Sequence, residues 1–172
     1  PSTIPLPIKV DRAIQNFVLL GNEFPNTHLS GLHNDQGWRL KLNGDHINGE
    51  IGAPDDPKLP VHLKFSRLTM AKRFGTGNAE SLDPRKLRPI SLESLATKYG
   101  DINLGSVSVS TERIADGMRL SHASAEVSTF RLNGSGEWTV KDGINQSQLH
   151  GSIKGDSLAR LLGSFGIDIV TI

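Results

Sequence analysis

The side chains of this chain best suited to metal binding or proton transfer are six histidines, His28, His33, His46, His62, His122 and His150. They are scattered, without the close i, i+2 or i, i+4 clustering with carboxylates that a metal site uses. His28 and His33, with Asp35 nearby, come nearest to a ligand set and fall in a stretch that reads as turn-rich. His62 and His122 lie in alternating runs and are expected on a solvated face. Asp55 and Asp56 could act as an acid and a base, but Pro54, Pro57 and Pro60 around them make this a turn whose aspartates favour the bend. Gly75-x-Gly77 and Gly134-x-Gly136 lack the third glycine and the following helix of a phosphate loop. Gly134 and Gly136 instead interrupt a strand pattern, which points to a bulge or a close backbone approach. The chain has no cysteine, hence no disulfide, thiolate metal site or cysteine nucleophile. No Gly-x-Ser-x-Gly, Ser-x-x-Lys with partners or His-Glu-x-x-His is present. These residues make no case for an enzyme, and neither a metal nor a cofactor is expected.

A set of basic residues, Lys72, Arg73, Arg85, Lys86 and Arg88, could touch lipid phosphates or a partner protein, although a solvated linker explains them as well. Lysine and arginine number 19 against 18 aspartate and glutamate, a formal charge of +1. No long-range field therefore favours a polyanion. Only six Phe, two Trp and one Tyr are present, none interleaved with the basic residues, so nucleic-acid binding is not expected. The longest apolar run, Phe17-Val18-Leu19-Leu20, is far below the roughly 20 residues of a membrane-spanning helix. Strands of about ten residues with aromatic girdles, the signature of an outer-membrane barrel, are not evident either.

The elements that would position any site read mainly as strands. With 172 residues and 36% hydrophobic content, the chain can bury a core. Its apolar residues recur at every second position: Ile4, Leu6, Ile8 and Val10; Trp38, Leu40 and Leu42; Val61, Leu63 and Phe65; Val107 and Val109; Phe130, Leu132, Trp138 and Val140. Turn signals such as Gly21-Asn22, Asn43-Gly44-Asp45 and Asp142-Gly143 separate these runs. Leu158, Leu161, Leu162 and Phe165 have helical spacing, which predicts one short helix over 156–166. Leu92, Leu95, Ala96 and Tyr99 fit helical spacing too, leaving 90–99 ambiguous by periodicity alone.

An internal repeat bears on that ambiguity. Pro7-Ile8-Lys9-Val10-Asp11 is similar to Pro89-Ile90-Ser91-Leu92-Glu93, Leu20-Gly21 to Leu104-Gly105, and Gly37-Trp38-Arg39-Leu40 to Gly117-Met118-Arg119-Leu120. The spacing is about 80 residues throughout, and chance matching is the competing explanation. A diverged duplication predicts two β units, 1–82 and 83–172, in one continuous sheet, a strand at 90–94, and a long exposed loop over 70–89 between the units. About a dozen strands and one helix leave the apolar face of such a sheet to be covered. Either the sheet folds on itself as a sandwich, or its apolar face lines a groove.

Taken in order, the motifs resemble a known pattern. Gly37-Trp38-Arg39-Leu40-Lys41-Leu42, Ile47-Asn48-Gly49-Glu50-Ile51, Ala53-Pro54-Asp55-Asp56 and Val61 through Leu68 are similar to a stretch of the YhdP family of AsmA-like proteins, relatives of TamB. The match continues through Asn103-Leu104-Gly105, Asp116-Gly117, Phe130 through Trp138 and Leu149-His150-Gly151, covering about 37–168. Members of that family are much longer and carry an N-terminal membrane anchor. The present sequence, which ends within the alternation of Ile167, Ile169 and Ile172, is accordingly read as a middle or C-terminal piece.

The resemblance implies a mainly β fold, an extended curved antiparallel-type sheet whose concave apolar face forms a groove. It also implies a periplasmic protein anchored in the inner membrane that moves phospholipids toward the outer membrane, without covalent chemistry. Its partners would be acyl chains and other envelope proteins, with membrane contact through parts of the protein outside this piece. On that reading the groove is lined by Leu40, Leu42, Val61, Leu63, Phe65, Val107, Val109, Leu120, Phe130 and Leu132. A closed core, as in a sandwich-type interaction domain, would use the same residues. Trp38 and Trp138 would anchor the sheet margin, while Pro54, Gly105, Gly117 and Gly136 would set turn or bulge geometry.

Overall fold

Alternation of apolar and polar residues dictates most of the strands, and the computed structural model, which describes residues 8–71 and 83–155, has ten of them. They are β1 (Ile8–Leu19), β2 (Asn22–Asn34), β3 (Gly37–Asn43), β4 (Ile47–Ala53), β5 (Val61–Met70), β6 (Ile90–Tyr99), β7 (Ile102–Ile114), β8 (Gly117–Val127), β9 (Phe130–Lys141) and β10 (Ile144–Gly155). All belong to one open, curved sheet whose spatial order is the order of the sequence. A second sheet packed on the first, as a sandwich requires, does not form among the described residues. None of their helices is long and apolar enough to cross a membrane. The helix expected over 156–166 lies outside the described residues.

Neighbouring strands are antiparallel except at the middle, where β5 and β6 run parallel, Val61 opposite Ile90 and Met70 opposite Tyr99. Parallel neighbours need a crossover from the end of one strand to the start of the next. Of the connection between them, expected as an exposed loop over 70–89, the described part at 83–89 is structural. Pro84–Lys86 forms a single 3-10 turn with Pro84 buried, and it packs against β8 and β9. Its N-cap is Asp83, whose side chain accepts from the Arg85 backbone N–H at 3.0 Å.

Cross-strand partners share a face, and the register gathers the apolar residues on one side. One row runs Leu40, Ile51, Leu63, Leu92, Val109, Ala123. The next runs Leu29, Leu42, Gly49, Phe65, Ser94, Val107, Ala125, Leu132, Ile153. Curvature lets side chains of non-adjacent strands meet over this face, and Phe24, Leu42, Ile47, Leu63 and Leu68 are at most 2% exposed. Phe17 and Leu19 from β1 and Val107 and Val109 from β7 pack against that cluster.

The alternation slips once along two of these strands. Phe65 and Leu68 in β5 are both buried although three residues apart, and so are Ser94 and Thr97 in β6. Bulges accompany the slip: β6 shifts register against β7 between Ser94 and Thr97, and β4 shifts against β5 at Asn48/Gly49. The odd spacing keeps an inward residue on both sides of each bulge, and in β6 it puts Leu92 and Tyr99, seven residues apart, on one face while Leu95 and Ala96 are exposed at the bulge.

Candidate apolar groove

All ten expected lining residues fall on the apolar face by register, and they divide by depth. Leu42, Leu63 and Phe65 belong to the packed cluster, with exposures of 2%, 1% and 3%. Leu40, Val61, Val107, Val109, Leu120, Phe130 and Leu132 are only half-buried. Burial fades across the sheet from β2–β6, where the cluster sits, through β7–β9 to β10, in which every residue but Ile153 is exposed. The face therefore combines a closed core over β2–β6 with an accessible apolar surface toward β10, while at the other edge Ile8 of β1 is exposed as well. Leu149 was not singled out from the sequence, yet its register opposite Gly136 puts it on this face at 72% exposure. Its own alternation, Leu149 and Ile153 amid polar residues, was too sparse to flag it.

The positions expected to shape turns and margins each have a local structural part. Gly105 has φ +62, and a Cβ there would run into the Glu126 carbonyl. Gly117 and Gly136 let the backbones of β9 and β10 approach equally closely, and the Leu149 side chain lies over Gly136. Trp38 packs against His33, ring centroids 5.1 Å apart. Trp138 is paired with Met118 and donates its indole N–H to Asn145 Oδ1 at 3.2 Å. The Pro54 carbonyl accepts from Arg88 Nη2 at 2.8 Å.

That arginine corrects the reading of the basic segment as a solvated linker. Arg88 Nη2 also donates to the carbonyls of Asp56 at 3.0 Å and Leu59 at 3.2 Å, so it ties the turn after β4 to the crossover. Arg113 Nη2 donates to the Leu87 carbonyl at 2.8 Å, fixing the crossover at β7. Arg85 grips both carboxylate oxygens of Asp83 at 2.9 Å, and these hydrogen bonds hold the Asp83 pKa down at about 2. Lys72 and Arg73 lie outside the described residues, as does Gly75-x-Gly77.

The histidines are likewise redistributed. His28 and His33 lie in β2 rather than in turns, and each meets a different carboxylate: His28 with Asp11 at 2.8 Å, His33 with Asp55 at 2.9 Å. Among the described residues no three His, Asp or Glu side chains are grouped to hold a metal. Asp55 and Asp56 do lie in the turn, the latter accepting from the Lys58 N–H at 2.9 Å. His62 and His122 are exposed on the polar face.

The opposite face of the sheet is charged, in rows that follow the same register. Lys41, Glu50, Lys64 and Glu93 alternate across β3 to β6. Arg119 bridges Glu112 and Glu137 at 2.9 Å each, and these two bonds raise its pKa. Arg131 pairs with Glu126, lowering the glutamate and raising the arginine. Such exposed pairs contribute little to stability, but opposite charges in register disfavour a strand slip that would turn the apolar set to water.

Among the described residues, then, the chain is a single curved sheet, apolar on one face and charged on the other, with β1 and β10 at its two ends. Accessible positions on the apolar face include the half-buried Val107, Val109, Leu120, Phe130 and Leu132 and the exposed Leu149 and Ile8. The model of the family described as YhdP protein matches residues 2–170, and the chain belongs to the YhdP family. That family consists of AsmA-like proteins of the bacterial envelope and is in general non-enzymatic. No curated protein and no solved structure matches the chain.

Proposed function

We propose that this chain is a non-catalytic lipid-binding segment of a bridge-like protein that carries phospholipids between the inner and outer membranes. The observation that carries the reading is the graded apolar face: seven of its ten candidate positions remain half-buried, and Leu149 beyond them is exposed. Acyl chains seated along Val107, Val109, Leu120, Phe130 and Leu132 would be shielded from water, each buried methylene contributing about 0.8 kcal/mol. A transfer surface needs no nucleophile, metal or cofactor. The reading places the chain in the periplasm, in a protein anchored to the inner membrane outside this segment. On this reading the chain is two repeat units, 1–82 and 83–172, each contributing five of the described strands. Their first strands start at Ile8 and Ile90, the second at Asn22 and Ile102, the third at Gly37 and Gly117, the fourth at Ile47 and Phe130, and the fifth at Val61 and Ile144.

The closed cluster over β2–β6 favours a second reading for that part of the sheet, a structural module that positions the open surface or docks an envelope partner. Native mass spectrometry of the chain purified from bacterial envelopes separates the two. Phospholipid retained by the wild type and lost from Leu132→Asp supports conduction. A lipid-free chain, with phospholipid still detected on a known carrier under the same conditions, leaves the scaffold.

A further inference from the structure

The charged face carries a hollow that the groove does not use. Register sets Arg39, Gly52 and His62 side by side across β3, β4 and β5, and Lys41, Glu50 and Lys64 in the neighbouring row. Gly52 contributes no side chain, and around it opens a hollow of about 630 Å³ lined by those residues together with apolar and small ones, Leu32 and Ser30 of β2 among them. A smaller hollow shares Arg39, Gly52 and His62 and extends toward Pro54. Three permanent cations and a histidine thus surround one carboxylate. Glu50 stands 3.8 Å from Lys41. Arg39 spends one N–H on Gln36 Oε1 at 3.0 Å, leaving other guanidinium donors to turn inward. Lys64 forms no ion pair with another described residue, although Glu50 and Glu93 flank it in register.

We propose that this hollow binds a phosphate group, seated over Gly52 between Arg39 and His62, with Lys41 and Lys64 adding charge from the adjoining row. Arginine offers a planar fork matched to phosphate oxygens, and lysines supply point charge. The hollow gathers these donors on one side of Gly52, and their positive charge outweighs the single carboxylate of Glu50, which favours an anion there. The phosphate can belong to a lipid headgroup or to a small soluble phosphate. The site is on the face opposite the apolar one, so it stands or falls independently of lipid conduction.

The test uses the full chain, isotope-labelled, titrated with inorganic phosphate, and in parallel mixed with phosphatidylcholine vesicles with and without phosphatidylglycerol. The expected result is saturable movement of the Gly52 amide and His62 ring resonances, or retention on the anionic vesicles alone. Movement with free phosphate and no vesicle retention identifies a soluble ligand; retention on anionic vesicles identifies a headgroup. In either arm Gly52→Val and Arg39→Gln weaken binding at least tenfold, while Arg131→Gln, on the same face over β9, leaves it unchanged. A Cβ at Gly52 would meet only the His62 Cβ, at 3.7 Å, so valine fills the floor with every charge kept; if that variant fails to fold, Arg39→Gln alone decides. The absence of saturable movement and of vesicle retention, or binding that survives both substitutions, overturns the proposal.

Discussion

Arg85 and Asp83 form a charge-assisted pair that also caps the crossover turn, and the pair carries a pH signature. The Asp83 carboxyl is held at about 2, from an ordinary 3.8, first by the Arg85 side-chain hydrogen bonds. A depressed carboxyl stabilises the fold above its unfolded pKa, and that contribution is lost as pH falls through the folded value. The turn at 83–87 should therefore hold to about pH 4 and loosen toward pH 2. Carbon-detected titration of the Asp83 carboxyl checks this, and Arg85→Ala should return the midpoint to the ordinary range. Gly105 makes a second residue-scale case. At φ +62 and against the Glu126 carbonyl, Gly105→Ala should lower stability by about 2 kcal/mol in chemical denaturation. The sequence marked Gly105 through its place in the family pattern, but its positive φ arises from a register shift between β7 and β8 that no single-strand pattern encodes.

Between elements, the decisive connection is the crossover that makes β5 and β6 parallel. Arg88 joins it to three carbonyls of the 54–59 turn, and Arg88→Ala should cost about 2 kcal/mol, since bonds from a charged donor are worth more than neutral ones. Hydrogen exchange should speed up in 54–60 and 84–90 together; faster exchange in only one of them would break the link. The strands at 38–42, 61–65, 107–109 and 130–140 were legible because one buried face imposes period two. Periodicity alone left 90–99 ambiguous, because the bulge at Leu95 and Ala96 puts Leu92 and Tyr99 seven residues apart on one face; the internal repeat gave the strand at 90–94, which is the first half of β6. The segment holding His28 and His33 reads as turn-rich because Asn, Gly and Pro punctuate it, yet pairing on both sides makes it part of β2. Arg88 looked like a linker residue because its carbonyl partners lie about thirty positions away.

At the scale of the molecule, one sheet does two jobs on one face, a closed core on β2–β6 and an open apolar surface on β7–β10. Large-to-small changes should report that division. Leu63→Ala, at 1% exposure, should cost 2–5 kcal/mol, about the range for buried leucines. Leu149→Ala should stay within about 0.5 kcal/mol, as at other exposed sites, and calorimetry of the two variants compares them directly. Period two predicted a common face for the ten lining residues, but no one-dimensional pattern carries the depth gradient, which depends on how the sheet curves. The same parity gives the most direct test of acyl contact. Gln148 and Leu149 are adjacent, both exposed and on opposite faces of β10. A photoreactive residue at each, in the protein in its native envelope, should give phospholipid adducts at position 149, as at 132, and none at 148 or 131. Equal labelling of both faces, or no lipid adduct at 149 and 132 while a known lipid carrier labels normally, would contradict an acyl-bearing face.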